Sequence, residues 1–398
     1  MDLGANRRWK AGRAVIAWLL AIVSTFWLFG PLARLEAAAP SAQTGGQQPG
    51  PARETFTLES AVENAVRGAA LDIARLALAS ARVDFERAMA DNLLSASPLA
   101  EQMARHNLRK AEDDFRDSHF QAVASVIAAY FDVMNAAEGV RVADLRHRIA
   151  VAALEAAREK ARVGTLGALE LQEVENVARS AAQDLAEARV SLDDARERLA
   201  RALGYPEVLP EAEALMVPEP IPALPSLSPQ EAVAMALEKS GEVASRSEAL
   251  EIARKQLQQA IAEQAPPLDV RAREYAVEKA ELELRQARVE LDRSVRLALG
   301  QAVNAAQRRD VAWRSLQIEE QRLQGVRQQQ QAGLKTEQAV MQAEVATLQA
   351  RQGYLNAVKG YLTALVDLRR LLGQDPGFGP PTSAVSENAS PEGAGPAK

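Results

Sequence analysis

From Ala136 to Ala161 apolar or small residues recur in alternating steps of three and four, at Ala136, Val140, Ala143, His147, Ala150, Leu154, Ala157 and Ala161. After Gly164 the same register resumes through Leu171, Val174, Ala178, Ala181, Leu185, Ala188, Leu192, Ala195, Leu199 and Ala202. It returns late in the chain at Val340, Ala343, Thr347, Ala350, Tyr354, Ala357, Tyr361, Ala364, Leu368 and Leu371. A sustained seven-residue repeat in which Ala holds so many inward positions predicts helices packed at close interaxial distance, as in coiled coils. At 1.5 Å per residue, segments 58–90, 99–163 and 168–203 become helices of about 50, 97 and 54 Å. Segments 229–264, 268–332 and 336–372 repeat the series with about 54, 97 and 55 Å. In each set two short helices laid end to end match one long one.

The two sets are copies of one unit. The stretch from Arg109 to Gly204 aligns without a gap onto the stretch 169 positions later, with Lys110-Ala111-Glu112 on Lys279-Ala280-Glu281, Gly164 on Gly333 and Leu203-Gly204 on Leu372-Gly373. Thr57 to Val62 opposes Ser228 to Val233. An internal repeat of this kind organises the whole fold. The chain therefore divides into a first helical repeat (55–204), a Pro-rich linker (205–228) and a second helical repeat (229–373). The expected fold class is all-α, with no domain of alternating strand pattern.

The ends differ in character. Arg7, Arg8, Lys10 and Arg13 precede an apolar run from Ala14 to Leu32, and Ala37-Ala38-Ala39 offers small residues for cleavage. Residues 1–39 thus read as an export signal, either cleaved or kept as an N-terminal anchor. Residues 40–54 are rich in Gln, Gly and Pro, as in a flexible leader. Residues 374–398 carry repeated Pro, Gly and Ser, the composition of a disordered tail.

Composition then narrows the chemistry. Lys and Arg number 47 against 53 Asp and Glu, mixed along the chain rather than blocked, so no nucleic-acid partner is indicated. There is no cysteine, which excludes disulfides, thiolate metal sites and thiol nucleophiles. The three histidines, His106, His119 and His147, have no spacing suited to a metal or a catalytic triad, and they read as satisfied or solvated helix-surface residues. No constellation of carboxylates, Ser or Gly-rich phosphate loop appears, so no catalytic, cofactor-binding or metal residue is assigned and an enzyme is not expected.

Paired units of one long helix flanked by two stacked short ones, a Thr-Leu-Glu-Ser-Ala-Val opening at Thr57 to Val62 and Leu-Gly stops at Leu203-Gly204 and Leu372-Gly373 resemble the TolC-like outer-membrane efflux family over about residues 55–373. The resemblance implies a homotrimeric helical tube in the envelope of a two-membrane bacterium, serving as the exit duct of an inner-membrane pump through a periplasmic adaptor. It also implies that the helix breaks at Val163-Gly164-Thr165-Leu166 and Gly333-Leu334-Lys335-Thr336 are adaptor-docking tips, and that Glu170 and Lys335 form a gate bridge. The sequence departs from the family where two barrel strands should lie in each unit. The available gaps, 91–98 and 265–267, are too short for strand pairs of about 9 to 11 residues each. A barrel-less variant is therefore expected, with a non-conducting envelope tether or spacer as the alternative.

Overall fold

The computed structural model describes residues 56–95, 97–204 and 215–378. The expected signal or anchor (1–39), the leader (40–54), the first part of the linker and residues 379–398 lie outside them. Arg53–Lys398 forms one compact unit, which is the unit treated below.

Among the described residues there are eight helices: α1 Leu58–Arg67, α2 Ala69–Ser95, α3 Pro98–Arg162, α4 Ala168–Leu203, α5 Pro229–Lys239, α6 Gly241–Ala262, α7 Pro267–Gln331 and α8 Glu337–Leu371. The only extended pairing among these residues is an isolated parallel bridge between Phe56 and Leu215. Local chemistry explains the starts. Thr57, Ser97, Ser228, Ser240 and Thr336 each accept, through the side-chain oxygen, a backbone N–H three residues on. Ser228 adds the reciprocal bond, its own N–H donating to Glu231 at 2.8 Å, so two orphan donors are satisfied at the start of α5.

Each expected first short helix is broken in two, at Gly68 and at Ser240. Gly68 lies against the end of α4, where an added Cβ would sit 2.9 Å from the Leu203 carbonyl oxygen. That close approach turns the chain onto the core and separates α1 from α2. The gaps where strands would lie stay short: α2 runs on to Ser95 and α3 starts at Pro98, which narrows the first, while 263–266 forms the second turn, one residue longer than expected.

The helices stand in four columns. α3 packs along α4 and α2 on one side and along α8 and α6 on the other, and α7 packs on α6, α8 and α5. α2 and α4 form one stacked column and α6 and α8 another. The heptad positions read from sequence face these contacts: Ala143, Ala150, Ala157, Ala178, Leu185, Ala195 and Leu199 are buried. α3 is long and apolar enough over one stretch to cross a membrane, but half of that stretch is buried inside the protein, which marks it as a core helix.

The thickest packing surrounds the middle of α3. Phe120, Val123, Val126, Ile127, Tyr130 and Phe131 meet α1, the end of α8 and linker residues from Leu215 onward. His119 is also there, fully buried, which corrects the expectation of a surface histidine. It falls on the apolar face that the aromatic residues of α3 define. The tail differs from expectation too. Phe378 is buried in this core, the Arg369 guanidinium donates to the Pro376 carbonyl at 2.8 Å, and Gln374 reaches the Met235 sulfur, so residues 374–378 are packed rather than loose.

Candidate functional site

The two long hairpins, α3–α4 and α7–α8, turn at one end of the unit, and both turns have the same construction. In the first, the Gly164 N–H donates to Ala161 O at 3.0 Å and the Thr165 N–H to Lys160 O at 2.9 Å. In the second, the Gly333 N–H donates to Gln330 O at 2.9 Å and the Leu334 N–H to Gln329 O at 2.8 Å. This paired closure requires a left-handed residue just past the helix, and Gly164 and Gly333 supply it with φ of 77° and 72°. An L-residue there carries a Cβ penalty that glycine avoids.

Around these turns apolar side chains point into solvent. Val163 is 62% exposed and Leu334 75%, while Leu166 is half-buried. The Thr165 hydroxyl donates to Lys160 O, and Thr336 caps α8. Lys335 is exposed. Each tip thus presents an exposed apolar side chain beside a closed backbone turn.

Glu170 and Lys335 are not brought together within one chain. The Glu170 carboxylate instead accepts the Gly167 N–H at 3.2 Å, closing the start of α4. Within one chain α3 lies between α4 and α8 and keeps the pair apart. The hairpins are also staggered. Asp132, which pairs with Lys359, is 30 residues short of the end of α3, whereas Lys359 is only 22 residues into α8. The first turn therefore reaches about 12 Å beyond the second.

The lateral edges are the features that sequence reasoning missed. α7 forms one edge column and α2 with α4 the other. On α7, Leu268, Tyr275, Leu282 and Val289 are exposed at intervals of seven, followed by Leu297, Val311 and Ile318. On the opposite edge Ile73, Leu76, Val83, Leu169, Val177 and Val190 are exposed. The signal was legible in principle, because a helix with apolar residues on two faces needs two partners.

A four-column helical unit with paired turns at one end is the fold of TolC-like tube protomers. The outer membrane efflux protein family matches residues 99–205, which is α3, α4 and their turn. Among solved structures, a Pseudomonas aeruginosa membrane protein superposes with a TM-score of 0.57 at 14% identity, covering 86% of this chain and 96% of that one. The Campylobacter jejuni CmeC outer membrane channel gives 0.56 at 15%, covering 84% and 89%, and the Vibrio cholerae outer membrane protein VceC 0.54 at 16%, covering 80% and 96%. No curated protein matches by sequence. The resemblance to the TolC-like outer-membrane efflux family thus holds by sequence over the first long hairpin and by fold over most of the chain.

Proposed function

We propose that this protein is the conduit subunit of an envelope efflux or export system, three copies closing laterally into a helical tube. The observation that carries this reading is the pair of free apolar edges. One edge is a single long column and the other a stacked column, so they differ and call for a head-to-tail contact that closes as a ring. Joining α7 of one chain to α2 and α4 of the next buries both seams and leaves a polar interior for solute to diffuse through.

In such a ring, the turn after α7, which carries Lys335, comes beside α4 of the neighbouring chain, which carries Glu170. The proposed gate bridge is therefore made between chains rather than within one. Each exposed pair contributes about 0 to 1 kcal/mol, so the latch depends on symmetry-related pairs acting together. The exposed tips Val163 to Leu166 and Gly333 to Thr336 are the docking points for a periplasmic adaptor, whose engagement parts them, and the driving energy comes from an inner-membrane pump. The site of action is the cell envelope, at the outer membrane or in the periplasm.

The second reading, a non-conducting tether or spacer, is favoured by the far end, where α2 ends at Ser95 and α3 starts at Pro98 and the turn 263–266 joins α6 to α7, neither gap being long enough for a strand pair. The absence of cysteine allows a direct test. Single and double Cys variants at Glu170 and Lys335 are treated in whole cells with a short bifunctional thiol reagent. The conduit reading expects a ladder ending at trimer in the double variant alone. Folded, exported protein that yields only monomer removes the closed-tip trimer and leaves the tether.

A further inference from the structure

The end of the unit opposite the tips is not level. Gln102, four residues into α3, donates to Glu251 at 3.2 Å, and Glu251 is eleven residues short of the end of α6. Gln256, six residues from the end of α6, accepts from Arg273, six residues into α7, at 3.0 Å. α6 and α7 therefore project together past the α2–α3 turn by about seven residues, or about 10 Å. Copies in a closed ring share one height. On the conduit reading, on which this step rests, three α6–α7 projections thus alternate with three α2–α3 recesses of the same two-helix width.

The lateral seam runs on past the reach of its ring neighbour. Leu268, Tyr275, Leu282 and Val289 keep one heptad register along α7, with Leu268 77% and Tyr275 63% exposed. Leu282 and Val289 lie below the level of the α2–α3 turn, where α2 of the next chain can cover them. Tyr275 stands at the lip of the recess and Leu268 about 10 Å above it, where the next chain has already turned. The floor of the recess carries Leu93, 85% exposed. Ring closure therefore leaves this stretch of α7 uncovered.

Shape and charge select what covers it. A two-fold axis perpendicular to the tube reverses both the direction and the circumferential order of the helices. When a second ring faces the first about such an axis, each projection enters a recess and α7 runs antiparallel to α7 of the facing ring. Seated to full depth, Leu268 of one ring meets Tyr275 of the other, and the reverse. Arg271 and Glu274, both exposed, share one flank of that stripe one turn apart, and the same axis sets each Arg271 against a Glu274. An anionic lipid surface fits less well, because from Gln256 to Val270 the projection carries Glu263 and Asp269 and no Lys or Arg.

We propose that two rings join end to end through these projections, giving a six-chain tube about 200 Å long with its tips at both ends. The joint needs no strand pair. It is tested separately from the cross-link at Glu170 and Lys335. In the cysteine-free chain, Leu268→Cys combined with Tyr275→Cys, oxidised in the exported protein, reports the joint alone. The two positions are about 10 Å apart on one helix, too far for a bridge within a chain. Within a ring, the α7 helices are kept apart by the other columns. The joint expects a two-chain band on a non-reducing denaturing gel in the double variant and in neither single variant. It also expects a native mass of six chains that falls to three in Leu268→Glu, an exposed position whose change leaves the fold intact. A parent mass of three chains with no two-chain band overturns the joint and leaves the ring, whereas a mass of one chain overturns both. Loss of the band and of the six-chain mass on binding to vesicles of phosphatidylethanolamine and phosphatidylglycerol assigns this end to a lipid surface and overturns the joint as well.

Discussion

The Tyr130 hydroxyl stands 2.8 Å from both the amide nitrogen and the carbonyl oxygen of Met216. It is also 2.8 Å from the Phe56 carbonyl, so one side chain in the middle of α3 holds both strands of the Phe56–Leu215 bridge. Burial pushes its phenol up to about 12, opposed by the bond to the Met216 backbone, so the group stays protonated at neutral pH and can donate as well as accept. Tyr361 does similar work further along, donating to the Pro222 carbonyl at 2.6 Å beneath the Arg309 guanidinium.

Tyr130→Phe leaves the Met216 amide without its hydroxyl partner and is expected to cost about 1 to 3 kcal/mol. Tyr361→Phe loses one bond to a carbonyl and is expected to cost less. Urea denaturation of the two variants checks the order. Equal effects would show that the bridge does not depend on the clamp.

His119 makes the core sensitive to acid. Desolvation lowers its pKa to about 4, with Asp375 opposing the shift and Arg75 adding to it. The folded state therefore holds fewer protons than the unfolded chain between pH 6.5 and about 4. Stability falls as pH falls through that window, by up to about 3 kcal/mol from this group, and levels off below it. His119→Gln is expected to flatten the slope between pH 6.5 and 4 in denaturation midpoints. A slope equal to that of the parent would assign the acid sensitivity to other groups.

The α6–α7 turn uses the same paired closure as the tips, with Gln264 N–H to Ile261 O and Ala265 N–H to Ala260 O, but here the left-handed residue is Gln264 at φ 52°. Gln264→Gly removes the Cβ penalty and is expected to stabilise by up to about 1 kcal/mol, after the loss of glycine's extra unfolded-state freedom. A lower thermal midpoint would mean that the Gln264 side chain contributes something its backbone strain conceals.

Phe378 closes the core from the C-terminal side, and Phe378→Ala is expected to cost about 3 kcal/mol. Limited proteolysis gives a second readout, since the loss should expose the segment just after Gly373. Parent-like stability would return residues 374–378 to the loose tail that their composition implies.

Much of the architecture was legible along the chain because heptad periodicity and breaker residues act locally. The ends of α4 at Ala168 and Leu203 follow from Gly167 and Gly204, and both tips follow from a glycine after a run of helix formers. The breaks at Gly68 and Ser240 were not legible, since each lies inside a helical pattern and Gly68 is required by the approach of Leu203, 135 positions away. The packing of Phe378 was hidden by the Pro and Gly around it, which set composition but not whether one aromatic side chain finds a cavity.

The sequence by itself determined that the chain is helical, duplicated and closed at equivalent turns, because those properties depend on spacing within a few residues. Only the tertiary structure decided how the copies sit against each other: the offset of about 12 Å between the tips, the separation of Glu170 from Lys335 inside one chain, and the pairing of Asp132 with Lys359 and of Glu138 with Arg351 across α3 and α8. Those follow from which rungs of α3 and α8 meet, and that register is set by side chains more than 200 positions apart, whose pairing no local pattern encodes.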